Sequence, residues 1–118
     1  MSTIVYLPQQ ARAPIGSTPP VAFPVTASNS RVTVAALVNR QDLDDPDFWL
    51  EVDLYRRRNP GSPWLHVAGM VWQGPGTDKT IDPFFSFISP SGELDGHETE
   101  IRWECGRVAS LGFTMDYD

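Results

Sequence analysis

Cysteine is nearly absent from this chain: Cys105 stands alone, so no disulfide can form within it. That excludes the disulfide-stapled scaffolds of many small secreted domains and fits assembly in a reducing cytoplasm. No apolar run approaches the ~20 residues that a membrane-spanning helix needs. The opening residues also lack the basic stretch and long apolar core of a secretory signal. We therefore expect a protein that assembles in the cytoplasm and does not contact a membrane.

Positive charge is also scarce, with nine Lys and Arg residues against fifteen Asp and Glu residues. The formal net charge of −6 and the pI of about 4.7 indicate a surface that repels phosphate groups. Binding to nucleic acid or to an anionic membrane is therefore not expected. The 118 residues are enough for one domain whose hydrophobic core needs no metal ion.

No segment shows the 3.6-residue period of an amphipathic helix, whereas two-residue alternation is widespread. The clearest case is a hairpin predicted over residues 47–72, with a turn rich in proline and glycine at residues 58–63. Four apolar side chains of its first arm fall on one face: Phe48, Leu50, Val52 and Leu54. Successive side chains of a strand point to opposite faces, so this spacing predicts a strand with one buried face.

Further short strands are predicted on both sides of the hairpin. They cover residues 21–25, 31–39, 79–81, 84–88, 97–105 and 111–117, while residues 40–47 are predicted to be a loop. Seven or eight short strands separated by regular turns are typical of a β-sandwich or a barrel. We predict an all-β sandwich domain over residues 21–118, because the strong strands follow one another as hairpin pairs.

The N-terminal stretch differs in composition from the rest. Residues 1–30 contain five of the eleven prolines and no acidic residue. Proline fixes φ and lacks an N–H, so neither a helix nor a central strand suits this stretch. We predict that residues 1–20 form an extended, proline-rich arm. Four consecutive apolar residues of the arm are predicted to contact either the domain itself or a neighbouring subunit: Ile4, Val5, Tyr6 and Leu7.

Groupings typical of catalysis or metal binding are missing from the sequence. Cys105 and His66 lie on separate predicted strands without a local His or Cys partner, so their spacing does not support a zinc site. The aspartates of residues 42–47 lack the central glycine and distal glutamate of a helix-loop-helix calcium loop. We expect a protein that is not an enzyme and binds no cofactor or metal. A Cys105–His66 nucleophile and base pair remains the enzymatic alternative.

Aromatic residues are the more informative set. Trp49 and Tyr55 alternate with acidic residues on the predicted outer face of the hairpin. Because Trp and Tyr are over-represented at binding hot spots, both are candidate protein-interface residues. Exposed aromatics beside carboxylates also suit a carbohydrate site, which is a second possibility.

The pattern of residues 31–72 resembles small immunoglobulin-like β-sandwich structural proteins of tailed bacteriophages. The matching features run along the chain: Arg31-Val32-Thr33-Val34, Leu37-Val38-Asn39-Arg40, Asp45-Pro46, the strand from Phe48 to Tyr55, and Trp64 after a Gly/Ser turn. A hydrophobic hairpin from Ile101 to Tyr117 closes the pattern. The resemblance implies an immunoglobulin-like sandwich and a role as a virion component, with the arm as a departure from the pattern.

These expectations combine into one functional hypothesis. The chain is predicted to be a non-enzymatic component of a phage particle, present in many copies or as a homo-oligomer and assembled in the host cytoplasm. A capsid decoration protein, with residues 1–20 laid on a neighbouring capsid subunit, is the leading version. A tail, collar or fibre accessory protein and a carbohydrate-binding sandwich module are the alternatives.

Overall fold

The computed structural model describes residues 2–23, 30–74, 82–89, 96–106 and 108–117. These residues form nine strands and one short helix, in the order β1 Ser2–Gln10, β2 Ile15–Ser17, β3 Val21–Ala22, β4 Ser30–Val38, α1 Arg40–Asp44, β5 Trp49–Arg57, β6 Leu65–Gln73, β7 Phe84–Ser89, β8 Glu98–Gly106 and β9 Leu111–Tyr117. None of the described helices is long and apolar enough to cross a membrane.

The strands lie in two antiparallel sheets that pack face to face. Sheet 1 has the strand order β1-β9-β4-β7, and sheet 2 has the order β2-β8-β5-β6, with β3 also paired to β8. The predicted hairpin is present, because β5 and β6 pair from Trp49 opposite Gln73 to Arg56 opposite Leu65. The prediction of an all-β sandwich is therefore confirmed.

The core lies between the sheets and is formed by the alternating residues of each strand. The inward residues of β5 and β8 are buried as the alternation predicted, and those of β4 and β9 face them from sheet 1. The fully buried members include Val32, Val34, Leu50, Val52, Leu54, Ile101, Phe113 and Met115. The rings of Trp103 and Phe113 meet across the two sheets with centroids 5.6 Å apart.

The prediction that residues from Ile101 to Tyr117 form a closing hairpin is wrong. Strand β8 pairs with β5 in sheet 2, whereas β9 pairs with β4 and β1 in sheet 1. Both strands carry an apolar face that must be buried, and placing them in opposite sheets turns both faces toward one core. The connection after Gly106 therefore crosses from one sheet to the other.

The predicted division between an arm of residues 1–20 and a separate domain is also corrected. Strand β1 pairs with β9 of the same chain, and β2 pairs with β8, so residues 2–10 belong to sheet 1 and residues 15–17 belong to sheet 2. Pro8 lies where the β1–β9 register shifts, between Leu7 and Gln10. An edge strand tolerates proline at such an irregularity because the missing N–H is not required there.

Residues 40–47 were expected to form a loop, but Arg40–Asp44 form one helical turn that buries Leu43 against the core. A single turn of this length leaves no periodic apolar pattern in the sequence, so the period could not reveal it. The strand predicted at residues 79–81 lies outside the described residues.

Candidate functional site

The two sides of the sandwich differ in how they are covered. One side, which we call the closed side, is bordered by β1 of sheet 1 and by β2 and β3 of sheet 2. The segment between β1 and β2 joins the sheets there, and its Ala13 carbonyl accepts a hydrogen bond from the Trp103 indole at 3.0 Å. The other side, which we call the open side, is bordered by β6 and β7.

The predicted interface residues of the N-terminal stretch lie on the closed side. Ile4 pairs through its backbone with Met115, and Val5 is 60% exposed. Tyr6 is only 5% exposed, and Leu7 is half-buried against the core. Tyr6 and Leu7 therefore contact their own domain, which is one of the two alternatives that the sequence left open, and a role for Ile4 and Val5 in a subunit interface stays a prediction. Edge strand β1 turns Tyr6 toward the core and leaves Val5 exposed, because successive side chains of a strand point to opposite faces.

The Tyr6 hydroxyl is part of a buried polar chain. The Thr99 hydroxyl donates to the Val21 carbonyl at 2.9 Å, so the Tyr6 hydroxyl donates to the Thr99 oxygen at 2.5 Å. Burial raises the pKa of Tyr6 from 10.0 to about 12, because desolvation disfavours the charged phenolate. The phenol is therefore held neutral in the folded protein.

We expect the stability of the protein to fall between pH 10 and pH 12 because of Tyr6. In that range the unfolded chain releases the phenol proton while the folded protein keeps it, so rising pH favours unfolding. The rise of the Tyr6 pKa from 10.0 to about 12 corresponds to a loss of about 2–3 kcal/mol in the free energy of unfolding. Urea unfolding across this range should show that extra loss in the wild type and not in Tyr6→Phe. Equal pH profiles for the two proteins would contradict the assignment.

The outer face of sheet 2 carries the other two predicted site residues. Trp49 lies opposite Gly106 and covers it, so that a side chain at Gly106 would collide with the indole. Tyr55 is half-buried, because the guanidinium of Arg102 lies 3.8 Å from its ring centroid and His66 packs edge-on at 5.3 Å. Alternation placed both aromatics on the outer face correctly. Their role in an interface stays a prediction.

Most charges on this face are already paired. Arg57 and Arg102 each form an ion pair with a 2.6 Å contact, to Glu98 and Glu100 respectively. Arg57 also stacks on Trp64 at 4.4 Å from the ring centroid. His66 Nε2 lies 2.8 Å from a carboxylate oxygen of Asp53. Most charged side chains on this face are therefore held in place by a paired neighbour.

A shallow groove of about 400 Å³ crosses this face between β2, β8 and β5. Its polar lining consists of Ser17, Glu51, Asp53, Arg102 and Glu104. Glu51 and Glu104 lie directly opposite each other on neighbouring strands. Like charges in that position disfavour the sheet, so a ligand that donates hydrogen bonds to both carboxylates would relieve the repulsion.

The proposed pair of Cys105 and His66 is not brought together. Cys105 is buried on the inner face of β8, opposite Leu50, whereas His66 lies on β6 with its ring on the outer face. Burial raises the pKa of the Cys105 thiol, and the negative charges of Asp42 and Glu104 raise it further. Within the described ranges, no three His, Cys, Asp or Glu side chains lie close enough to hold a metal ion.

The open side holds most of the exposed apolar surface. Of the eight large apolar side chains that are exposed in the described part of the chain, five lie on β6 and β7. They are Leu65, Met70, Val71, Phe84 and Ile88, each between 45% and 53% exposed. The strand registers place Val71 on the outer face of sheet 2 and Phe84 and Ile88 on the outer face of sheet 1, so exposed apolar groups border both free edges of this side. Exposed apolar groups that are concentrated in one region are available for association. The open side is therefore the strongest candidate for a protein-binding surface.

The sequence analysis did not identify the open side, although the composition of β6 and β7 differs from that of the other strands. Residues 65–73 and 84–89 include no Asp, Glu, Lys or Arg, whereas β5 and β8 alternate with charges. A strand without charge on either face is typical of one that is covered on both faces. Only the strand order shows that β6 and β7 are edges, where such a composition leaves apolar groups exposed.

No protein-family model matches this sequence, and no curated protein matches it either. Among solved structures, a xylan-binding module, CBM15, is similar over 96% of this chain and 74% of its own length, with 10% identity and a TM-score of 0.43. That TM-score is too low for the likeness to support a function. The two-sheet architecture described above therefore defines the chain as an all-β sandwich.

Proposed function

We propose that this protein is a non-enzymatic structural component of a phage particle, in the form of a capsid decoration protein that binds other virion proteins. The observation that carries the proposal is the concentration of exposed apolar side chains on the open side, at β6 and β7. The phage setting is supported by the resemblance of residues 31–72 to phage sandwich proteins. A tail, collar or fibre accessory protein would use the same surface.

The open side has the character of a docking surface. Its exposed residues belong to the edge strands of two sheets, which are held at that side by the contact between the rings of Trp72 and Phe85 at 6.4 Å. Natural proteins usually protect such edges with charges, prolines or a covering segment. Residues 65–73 and 84–89 include neither proline nor a charged residue, so burial against a partner would remove apolar groups from water.

The proposal predicts that the chain is found in gradient-purified particles of the virus that encodes it, in multiple copies. Val71→Asp and Phe84→Asp should each lower its occupancy of particles about tenfold or more, because a carboxylate would be buried without a partner. Occupancy is measured by quantitative mass spectrometry of the particles. Val5→Asp, at an apolar residue on the closed side that is 60% exposed, is the control.

Two results would overturn the proposal. One is a chain that remains in the host cytosol and is missing from purified particles. The other is normal occupancy by both open-side variants while the Val5 control behaves in the same way. A folded state for each variant, checked by circular dichroism, ensures that lost occupancy reports binding rather than unfolding.

A carbohydrate-binding role is the second candidate, and the groove on the outer face of sheet 2 favours it. Glu51 and Glu104 are suitably placed to accept hydrogen bonds from sugar hydroxyls, and Trp49 lies one alternation away on the same face. Quenching or enhancement of tryptophan fluorescence by soluble oligosaccharides, lost in Glu51→Gln, would support this role. Open-side variants that still bind sugar would separate it from the particle role.

A further inference from the structure

Strand β6 presents a free backbone edge. It pairs with β5 on one side, and none of the described strands pairs with its other side. All nine of its residues, Leu65–Gln73, lack the carboxylate, ammonium or guanidinium groups that usually protect an edge. A long, uncharged edge of this kind is a template for adding another strand.

The hydrogen-bond pattern shows which backbone groups point outward. The N–H of Gly74 donates to the Phe48 carbonyl at 2.7 Å, so this position is a hydrogen-bonded pair between β5 and β6. Such pairs alternate along an antiparallel ladder. Trp72, Met70 and Ala68 therefore direct their backbone groups to β5. The N–H and C=O groups of the intervening residues Gly69 and Val71 point to the free edge.

We propose that β6 pairs with β6 of a second copy of this chain, antiparallel and about a two-fold axis at Met70. Gly69 of each copy then lies opposite Val71 of the other, and these two residues exchange backbone hydrogen bonds. The pairing joins the two copies of sheet 2 into one continuous sheet. This inference rests on the proposed role of the open side as a protein-binding surface and names its partner.

Side-chain packing agrees with this register. The two Met70 side chains face each other at the axis, where a pair without mutual hydrogen bonds brings its Cα atoms to about 4.5 Å. Met70 and Val71 are 46% and 48% exposed in the isolated chain, so both lose contact with water on pairing. Methionine adapts its shape to a neighbour, which suits a contact between two identical side chains.

Charge complementarity selects a second copy as the partner and the antiparallel direction. At the start of β6, Leu65 lies opposite Arg56, and Arg58 follows on the same hairpin turn. At the other end, Gly74 approaches the backbone of Asp45 and Pro46, next to the exposed Asp44. An antiparallel pair therefore sets the basic end of each copy beside the acidic end of the other.

The chain as a whole has a net charge of −6, so two copies repel each other over most of their surfaces. The uncharged β6 edge is a region where they can approach without that repulsion. A two-fold contact also repeats every favourable interaction, because the same patch serves both subunits.

The test is the mass of the purified full-length chain in solution, measured by sedimentation equilibrium over a range of concentrations. We expect a reversible dimer of twice 13.1 kDa. Met70→Lys should weaken dimerisation about tenfold or more, because two ammonium groups would face each other at the axis. Val71→Pro should act as strongly, because it removes an outward N–H and leaves the β5–β6 ladder intact. Val5→Lys is the control and should dimerise normally.

Charge reversal tests the direction of pairing at low ionic strength. Arg58→Glu removes the excess positive charge at one end of a copy, and Asp44→Arg lowers the negative charge at the other end, so each variant alone should dimerise several-fold more weakly than the wild type. An equimolar mixture of the two should recover dimerisation as a heterodimer. A parallel arrangement would bring like ends together, so each single variant would dimerise about as well as the wild type and the mixture would dimerise better than the wild type; that result would overturn the register.

The outcomes separate this inference from the proposed function. A chain that is monomeric at every concentration but occupies particles overturns self-pairing and leaves the structural role intact. A chain that forms the β6 dimer but is missing from particles overturns the structural role and leaves the pairing intact. A dimer that persists in both Met70→Lys and Val71→Pro uses another surface, which overturns the inference.

Discussion

Deletion of residues 1–20 is expected to unfold the protein, rather than to leave a folded domain that no longer binds a partner. The deletion removes β1 and β2, and with them the buried ring of Tyr6. It also removes Thr18, whose hydroxyl accepts a hydrogen bond from the backbone N–H of Ile101 at 3.0 Å. Losing a buried aromatic ring alone costs about 3–5 kcal/mol.

Exposed core and unpaired polar groups raise that cost further. Without β1 and β2, the edges of β9 and β8 lose their partners, and the inner face of β8 around Trp103 meets water. The total is comparable with the ~5–15 kcal/mol by which domains are stable. Near-ultraviolet circular dichroism and urea unfolding measure the effect. A truncated chain that retains the wild-type spectrum and unfolding midpoint would contradict it. Val5→Ala, at an exposed site, should cost about 0.5 kcal/mol or less.

Phe113→Ala is expected to lower the free energy of unfolding by about 3–5 kcal/mol. Phe113 is fully buried on β9 and packs against the ring of Trp103 from the opposite sheet. Truncation leaves a cavity at the contact that joins the two sheets, and a close-packed core relaxes only partly around such a cavity. The prediction is measured by urea unfolding with a shared slope for the two proteins.

Phe84→Ala is the matched control for that substitution. Phe84 has the same side chain but lies on β7 with 45% of its surface exposed, so its removal should cost well under half as much. Its effect on particle occupancy should be the larger one, since the open side is the proposed docking surface. Equal destabilisation by the two substitutions would show that Phe113 does not lie at the centre of the core.

Alternation of apolar residues was sufficient to predict most of the strands. Strand β9 begins and ends where the pattern of residues 111–117 placed it, and β4 Ser30–Val38 is shifted by one residue from the predicted 31–39. The inward residues of the first hairpin arm, Phe48, Leu50, Val52 and Leu54, were also predicted correctly, because a two-residue period determines which side chains share a face. Local patterns of this kind depend only on neighbouring residues and therefore survive in the sequence.

Pairing between distant strands could not be predicted in the same way. The proline content of residues 1–20 indicated an extended segment, which is correct, but it carried no information about the strand beside it. The β1–β9 pairs join residues that are over 100 positions apart, such as Ile4 and Met115. Such pairing is chosen by which apolar faces fill the core together, a property of the whole chain.

The candidate site divides along the same line. Trp49 and Tyr55 were identified from the sequence, because alternation with charges places them on the outer face. The apolar residues of β6 and β7 were missed, because an uncharged strand is ordinary in the centre of a sheet and unusual only at its edge. Their position at the edge depends on strand order, which no local pattern records.

What the sequence determined by itself is therefore the class of the fold, the positions of its main strands and the face of each strand that is buried. Tertiary structure alone decided that the N-terminal residues complete both sheets, that β8 and β9 lie in different sheets, and that β6 and β7 are left as open edges. The physical reason is that side-chain alternation is a local property of the backbone, whereas strand order follows from closing one common core.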